Sequence, residues 1–212
     1  PSADGTLFVV PYFPECSYDR PRFPLSFDVP WDDPQFKAEI IRSISSKKSL
    51  KTLDLPKNMI TVCVHVRRGG GYVGDNKKAF DRLPLKFPPD SYYLEQIQRV
   101  SEIFKDQPLY IYIMTDAQRP FSIAQKYAKI LNNPNLVFDY RKKGNRHDAN
   151  VLEDFFSISK FDCAILCQSN FSLMASKLGN YKVLIEPLDC VSEGNEVRVT
   201  GTRLTLKGMH NE

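Results

Sequence analysis

An α/β fold, with a parallel sheet covered by helices on both faces, is what the 212-residue sequence predicts. Three observations carry that prediction. From residue 59 onward, short apolar runs alternate with segments of helical period. The runs are apolar at nearly every position, as strands buried on both faces are. The composition, 42% hydrophobic and 25% charged, is that of a globular chain long enough to bury a core.

The elements follow in order. Residues 1–50 are rich in proline and aromatics, as in "VVPYFPECSYDRPRFPLSFDVPWDDP". Proline removes backbone donors and fixes φ, so this segment predicts irregular structure, with a helix near Gln35 to Ser46. "MITVCVHV" reads as a strand. "SYYLEQIQRVSEIF" reads as a helix with Tyr93, Ile97, Val100 and Phe104 on one face, and Asp90 is placed to cap it. "PLYIYIM", "NLVFDY", "DCAILC" and "KVLIEP" read as strands. "FSIAQKYAKIL", "NVLEDFFSISKF" and "FSLMASKL" between them read as helices. Residues 51–195 therefore form a Rossmann-like domain of parallel strands and helices. "KVLIEP" is expected to be the last strand, and residues 196–212 a polar tail.

Bulk properties exclude several classes of function. A net charge of +4 suits an anionic ligand and falls short of a basic nucleic-acid binder. No apolar run is long enough to span a membrane. The chain opens on Pro1 with no signal-like segment, which is expected of a trimmed or processed product. Of five cysteines, Cys63, Cys163 and Cys167 sit inside apolar runs. An odd count so placed favours reduced thiols and a reducing compartment. Cys163 and Cys167 lack histidine partners at zinc spacing, and His65, His147 and His210 are scattered, so no metal site is expected.

In open sheets of this kind, ligands bind outside the carboxyl ends of the strands. That rule selects the loops at residues 67–75, 115–119, 141–150 and 168–172. In the first, "TVCVHVRRGGGYVGD", a strand runs into two arginines and then glycines. Gly69, Gly71 and Gly74 have dinucleotide-fingerprint spacing. The segment after them is polar and broken by Pro84, Pro88 and Pro89, where that fold needs an apolar helix. A P-loop fails as well, because Asp75 and Asn76 stand where Lys and Ser/Thr are required.

The arginines carry more. Side chains alternate along a strand, so His65 and Arg67 face one side and Arg68 the other. Arginine is always charged and needs an anion when buried. Both could be structural ion pairs. They could equally form a clamp on a diphosphate, whose geometry a guanidinium fork matches, with glycines beside it to let the ligand approach. Ser169, Asn170 and Ser172 stand at the start of a helix, where free N–H groups and the dipole favour anions. Thr115-Asp116 puts a carboxylate at another strand end, where it could accept from a base or a ribose, or start a turn. The run "RKKGNR" at Arg141 to Arg146 lacks interleaved aromatics and reads as a solvated loop.

These loops as a set resemble the α1,2-, α1,6- and protein O-fucosyltransferase superfamily. "HVRRGGG" at His65 to Gly71 is similar to its His-x-Arg-Arg-x-Asp motif, "YIYIMTDA" to its Ser/Thr-Asp turn, and "VLEDFFSISKFDCAILCQSNFSLMAS" to its last motif. The match covers residues 59–187 and is nearest the α1,2 type. The resemblance implies the donor-binding half of a GT-B glycosyltransferase, a GDP-fucose donor, a glycan or protein acceptor, and inversion without a metal or other cofactor. It implies that Arg67 holds the β-phosphate and that Arg68 supports it or the loop. Gly69 lies beside the donor, His65, Thr115 and Asp116 lie toward the guanosine, and Ser169, Asn170, Phe171 and Ser172 line the diphosphate side. No Asp-x-Asp triplet, the metal signature of the other major glycosyltransferase fold, occurs in the chain.

Two departures stand out. Gly70 replaces the motif's Asp, so the general base must come from elsewhere. Asp75 and Asp81 on the following loop are the nearest carboxylates, as a base or as solvated charges. Residues 1–50 are also too few for a full second half, and are expected to be the remnant of an acceptor half or a link to one. The Golgi lumen is the alternative compartment for such a fragment. The alternative function is a GDP-sugar- or glycan-binding pseudoenzyme of the same fold.

Overall fold

The computed structural model describes residues 29–45, 49–68, 83–105, 107–145, 151–194 and 196–207. The chain divides into two units, Pro1–Glu39 and Ile40–Glu212. In the first, Asp33 accepts the N–H of Gln35 at 2.8 Å, and Trp31 meets Phe36 edge-on with ring centres 5.5 Å apart. Helix α1, Pro34–Ile44, crosses the boundary.

The second unit holds a six-stranded sheet. Its strands are β1 (Ile60–Val66), β2 (Leu109–Thr115), β3 (Leu136–Tyr140), β4 (Cys163–Ile165), β5 (Val183–Glu193) and β6 (Glu196–Leu206). The order is β3-β2-β1-β4-β5-β6. The first five strands are parallel, and β6 pairs antiparallel with β5. The helices are α2 (Asp90–Ile103), α3 (Pro120–Leu131), α4 (Val151–Ile158) and α5 (Asn170–Leu178). The α/β expectation holds for every predicted strand and helix of this region.

Alternation along β1 divides the core. Val62, Val64 and Val66 join Tyr93, Ile97 and Val100 of α2 and Ala124 and Tyr127 of α3 on one face. Cys63 turns to the other face with Ile158 of α4, Ala175 of α5 and Phe161. Tyr93, Ile97, Val100 and Phe104 are all buried, as their 3–4 spacing requires. At the amino ends of the strands, Asp162 accepts from the Thr61 N–H (3.0 Å) and hydroxyl (2.9 Å) and from Lys182 (3.0 Å), joining β1, β4 and β5.

Two expectations change. "KVLIEP" is not the last strand. β5 runs on to Glu193, Gly194 turns the chain at φ +61°, and β6 returns along it with Glu193 opposite Glu196. Asp90 does not cap α2 through its side chain. Pro89 is the cap residue, and the Asp90 carboxylate takes Lys126 Nζ (2.6 Å), the Tyr127 hydroxyl (2.6 Å) and Arg68.

Candidate functional site

The sheet order reverses between β1 and β4: β2 and β3 follow on one side of β1, and β4 and β5 lie on the other. That switch point opens a crevice at the carboxyl ends, where the connecting helices leave to opposite faces. The sequence brings His65 there on β1 with Arg67 and Arg68 just past its end, Thr115 at the end of β2 with Asp116 just past it, and Ser169 to Ser172 after β4.

The two arginines part as their alternation requires. The Arg68 guanidinium turns to the α2/α3 face. It donates to the Pro88 carbonyl at 3.2 Å, to Asp90 and to the Tyr127 hydroxyl at 3.3 Å, and lies 5.8 Å from the centre of the Tyr93 ring. Asp90 also holds Lys126. Although burial alone raises the Asp90 pKa, the hydrogen bonds from Lys126 and Tyr127 and the two cations bring it below the usual carboxylate range. This network fastens the β1 exit to α2 and α3.

Arg67 faces the other way. Its Nε lies 3.9 Å from Asp116 Oδ2. Asp116 Oδ1 accepts the backbone N–H of Arg68 at 2.6 Å. One carboxylate thus sets the backbone between the arginines and sits beside the first of them. Thr115, buried at the end of β2, receives the Ala117 N–H on its hydroxyl at 3.1 Å. It opens an ordinary turn, and Asp116 follows.

His65 is buried on the Arg67 side. Its Nδ1 is 3.5 Å from the Cys167 Sγ, and its ring centre is 6.1 Å from that of Phe171. Burial pushes the imidazole down to about 4; Asp116 pulls it up and Arg67 pushes it down. At neutral pH His65 is therefore an uncharged ring. Burial pushes the Cys167 thiol up to about 12, opposed by the charge and the backbone N–H of Arg67. The thiol stays protonated and serves as a neighbour to histidine.

Helix α5 begins at this crevice. Ser169 is its cap residue in extended conformation, with no capping side-chain bond. The Ser169 N–H turns back to the Cys167 carbonyl at 2.7 Å. Ser172 is buried, and its hydroxyl donates to the Ser169 carbonyl at 3.2 Å. Asn170 is exposed and Phe171 half-buried, stacked edge-on against Phe155 at 5.7 Å. Gly69, Gly70, Asp75 and Asp81 lie outside the described residues.

Sequence reasoning did not single out three local contacts. Cys167 faces His65. Asn145 reaches from the loop after β3 to the carbonyls of Thr115 (3.0 Å) and Ala117 (2.6 Å). The Gln168 N–H binds the Leu85 carbonyl at 2.9 Å, tying the chain before α2 to the end of β4. For Asn145 the signal was the Gly-Asn pair in a loop already marked by the strand-end rule; Cys167 and Leu85 had none. Among the described residues, no group of histidine, cysteine and carboxylate side chains could hold a metal ion, and no helix is long and apolar enough to cross a membrane.

No protein-family model matches the chain, and no curated protein sequence does. Two solved structures are similar to it. One is the NodZ alpha-1,6-fucosyltransferase soaked with GDP-fucose, at 14% identity and TM-score 0.43 over 80% of this chain. The other is the fucosyltransferase NodZ from Bradyrhizobium, at 16% identity and TM-score 0.43 over 71% of it. The chain spans 46% and 43% of their respective lengths.

Proposed function

We propose that this chain carries the nucleotide-sugar site of a glycosyltransferase, with GDP-fucose as donor and a glycan or protein as acceptor. The observation that carries the reading is Arg67, the first residue past β1 at the topological switch point, beside Asp116 and on the face from which α5 starts. The fork of Arg67 suits a diphosphate oxygen, and the uncapped start of α5 adds oriented N–H groups on the same side. The motif resemblance supports the same ligand.

In this mechanism the sugar–phosphate bond breaks as an acceptor hydroxyl attacks the anomeric carbon from the opposite side. Negative charge develops on the β-phosphate, and Arg67 stabilises it. Arg68 holds the strand exit so that Arg67 keeps its place. His65, neutral and fixed against Cys167 and Phe171, offers a hydrogen bond to the nucleoside without adding charge. Asp116 selects guanine. A carboxylate of the glycine loop, Asp75, takes the acceptor proton, standing in for the acid that Gly70 displaces. Metal independence is part of the proposal.

Calorimetric titration with GDP, UDP, GDP-fucose and GDP-mannose tests the reading. GDP and GDP-fucose should bind, UDP more weakly, and donor turnover should persist in EDTA. Absence of binding to every nucleotide overturns it. GDP binding without transfer to any acceptor, on a chain that includes the acceptor half, selects the pseudoenzyme instead.

A further inference from the structure

Between the turn that enters α3 and the loop that leaves β3 lies a cleft of about 650 Å³. Among the described residues, its lining includes four cations, Arg119, Arg141, Lys142 and Lys143, and no carboxylate. Two of the four are already matched. Arg141 pairs with Glu153 and Asp154, and Lys142 pairs with Asp139 while its ammonium stands 3.8 Å over the Tyr140 ring. Arg119 and Lys143 are exposed and make no ion pair among the described residues. Helix α3 starts at the same place. Pro120 opens it, its first turn holds no acid, and no side chain caps it, so the positive end of its dipole adds to the two cations.

A concave wall with surplus charge of one sign concentrates ions of the other. The volume lies in the range of small-ligand sites, roughly 300–1,000 Å³. The carboxylates of Asp139, Glu153 and Asp154 flank the cleft and interrupt any extended basic stripe, which disfavours a nucleic-acid strand. An aromatic face is available: Phe121 is 52% exposed, with its ring centre 5.7 Å from that of Tyr140. Asn145 lines the cleft and bonds the carbonyls of Thr115 and Ala117, so the cleft adjoins the donor crevice without using Arg67.

We propose that this cleft is a second binding site, for a small sugar bearing several phosphate or sulfate groups, held by Arg119, Lys143 and the start of α3, with a ring against Phe121. Taking the ligand to be a sugar rests on the proposed function; the anion site does not.

The test is titration with sucrose octasulfate, with unsubstituted sucrose and with inorganic phosphate, each with and without excess GDP. The wild type should bind the octasulfate, ignore sucrose, and bind phosphate far more weakly. Binding should persist with GDP present and weaken as salt rises. Arg119→Glu/Lys143→Glu should bind the octasulfate roughly tenfold or more weakly, and Lys143→Glu alone should show a smaller loss in the same direction. Lys105→Glu, an exposed charge reversal outside the cleft, should match the wild type. Equal affinity in the double variant and the wild type overturns the site. Phosphate as tight as octasulfate removes the sugar, and displacement by GDP merges the cleft with the nucleotide site. A single-stranded oligonucleotide that binds more tightly than octasulfate, and loses that in the double variant, replaces the sugar with nucleic acid. Octasulfate binding by a protein that does not bind GDP would overturn the donor reading and leave this one standing.

Discussion

Asp116 touches both neighbours of one peptide: its Oδ1 accepts the Arg68 N–H at 2.6 Å, and its Oδ2 stands 3.9 Å from Arg67 Nε. The carboxylate is partly buried, with 12% of its side chain exposed. Asp116→Asn keeps an oxygen for the Arg68 N–H and removes the charge, so the fold should survive. Its signature should be a smaller preference for GDP over UDP. Asp116→Ala leaves the N–H without that acceptor and should also lower stability by about 1–3 kcal/mol, measured by urea unfolding. Unchanged nucleotide discrimination in Asp116→Asn assigns the residue to the turn alone.

Arg67 is the test of the clamp. Arg67→Ala should weaken GDP binding by about 2–4 kcal/mol, the usual scale for losing a charge-assisted pair. Arg67→Lys should recover little, because an ammonium cannot replace the planar fork. Calorimetry on folded variants decides it, and GDP affinity equal to wild type in Arg67→Ala would exclude Arg67 from the site.

Arg68, one residue on, should behave in the opposite way. Its guanidinium is partly buried and serves Asp90, Pro88 and Tyr127. Arg68→Ala should lower stability by about 1–3 kcal/mol, since Asp90 keeps Lys126 and Tyr127 but loses one cation. Its unfolding midpoint should fall further than that of Arg67→Ala. Any loss of GDP affinity should follow from loosening of the β1 exit, and Tyr127→Phe, which removes another bond to the same carboxylate, should reproduce part of it. A stable Arg68→Ala that cannot bind GDP would place Arg68 on the ligand.

This contrast shows how far the sequence was readable. Period-two alternation sends Arg67 and Arg68 to opposite faces, and the structure keeps that division. Which carboxylate each arginine meets is a matter of tertiary structure: Arg67 lies beside Asp116 and Arg68 meets Asp90, 22 residues away, and a helix start is not visible from a strand end. Asp90 at the start of α2 suggested a side-chain cap, and tertiary pairing with Arg68 and Lys126 won. β6 had a local signal that polarity obscured. "EVRVTGTRLTL" puts Val197, Val199 and Leu204 at half-buried positions, and the Gly194-Asn195 pair before it is a hairpin dipeptide. An edge strand is half exposed, so its apolar content is diluted. The His65–Cys167 contact spans 102 residues, and only the pairing of β1 with β4 creates it.

That contact leads to a prediction about pH. His65 is buried, and its imidazole is held near 4, against about 6.5 in an unfolded chain. Desolvation is the main cause. Asp116 acts against it and Arg67 with it, and the Cys167 thiol, itself pushed up to about 12, supplies no charge. Because the folded value lies below the unfolded one, the unfolded chain takes up the proton first as pH falls. The neutral histidine therefore contributes its full stability above about 6.5, and the contribution drains away toward 4. The whole window is worth on the order of 3 kcal/mol, with about 2 kcal/mol of it lost between pH 7 and 5. Comparison with a variant that lacks the imidazole separates the histidine from the other titrating groups. Urea unfolding at pH 7, 6 and 5 should show stability falling with pH in the wild type. In His65→Gln the slope should be shallower by about that amount, whatever the offset from altered packing. Parallel slopes in the two proteins would show that His65 is protonated without cost in the folded state, and would remove the neutral imidazole from the nucleoside contact proposed for it.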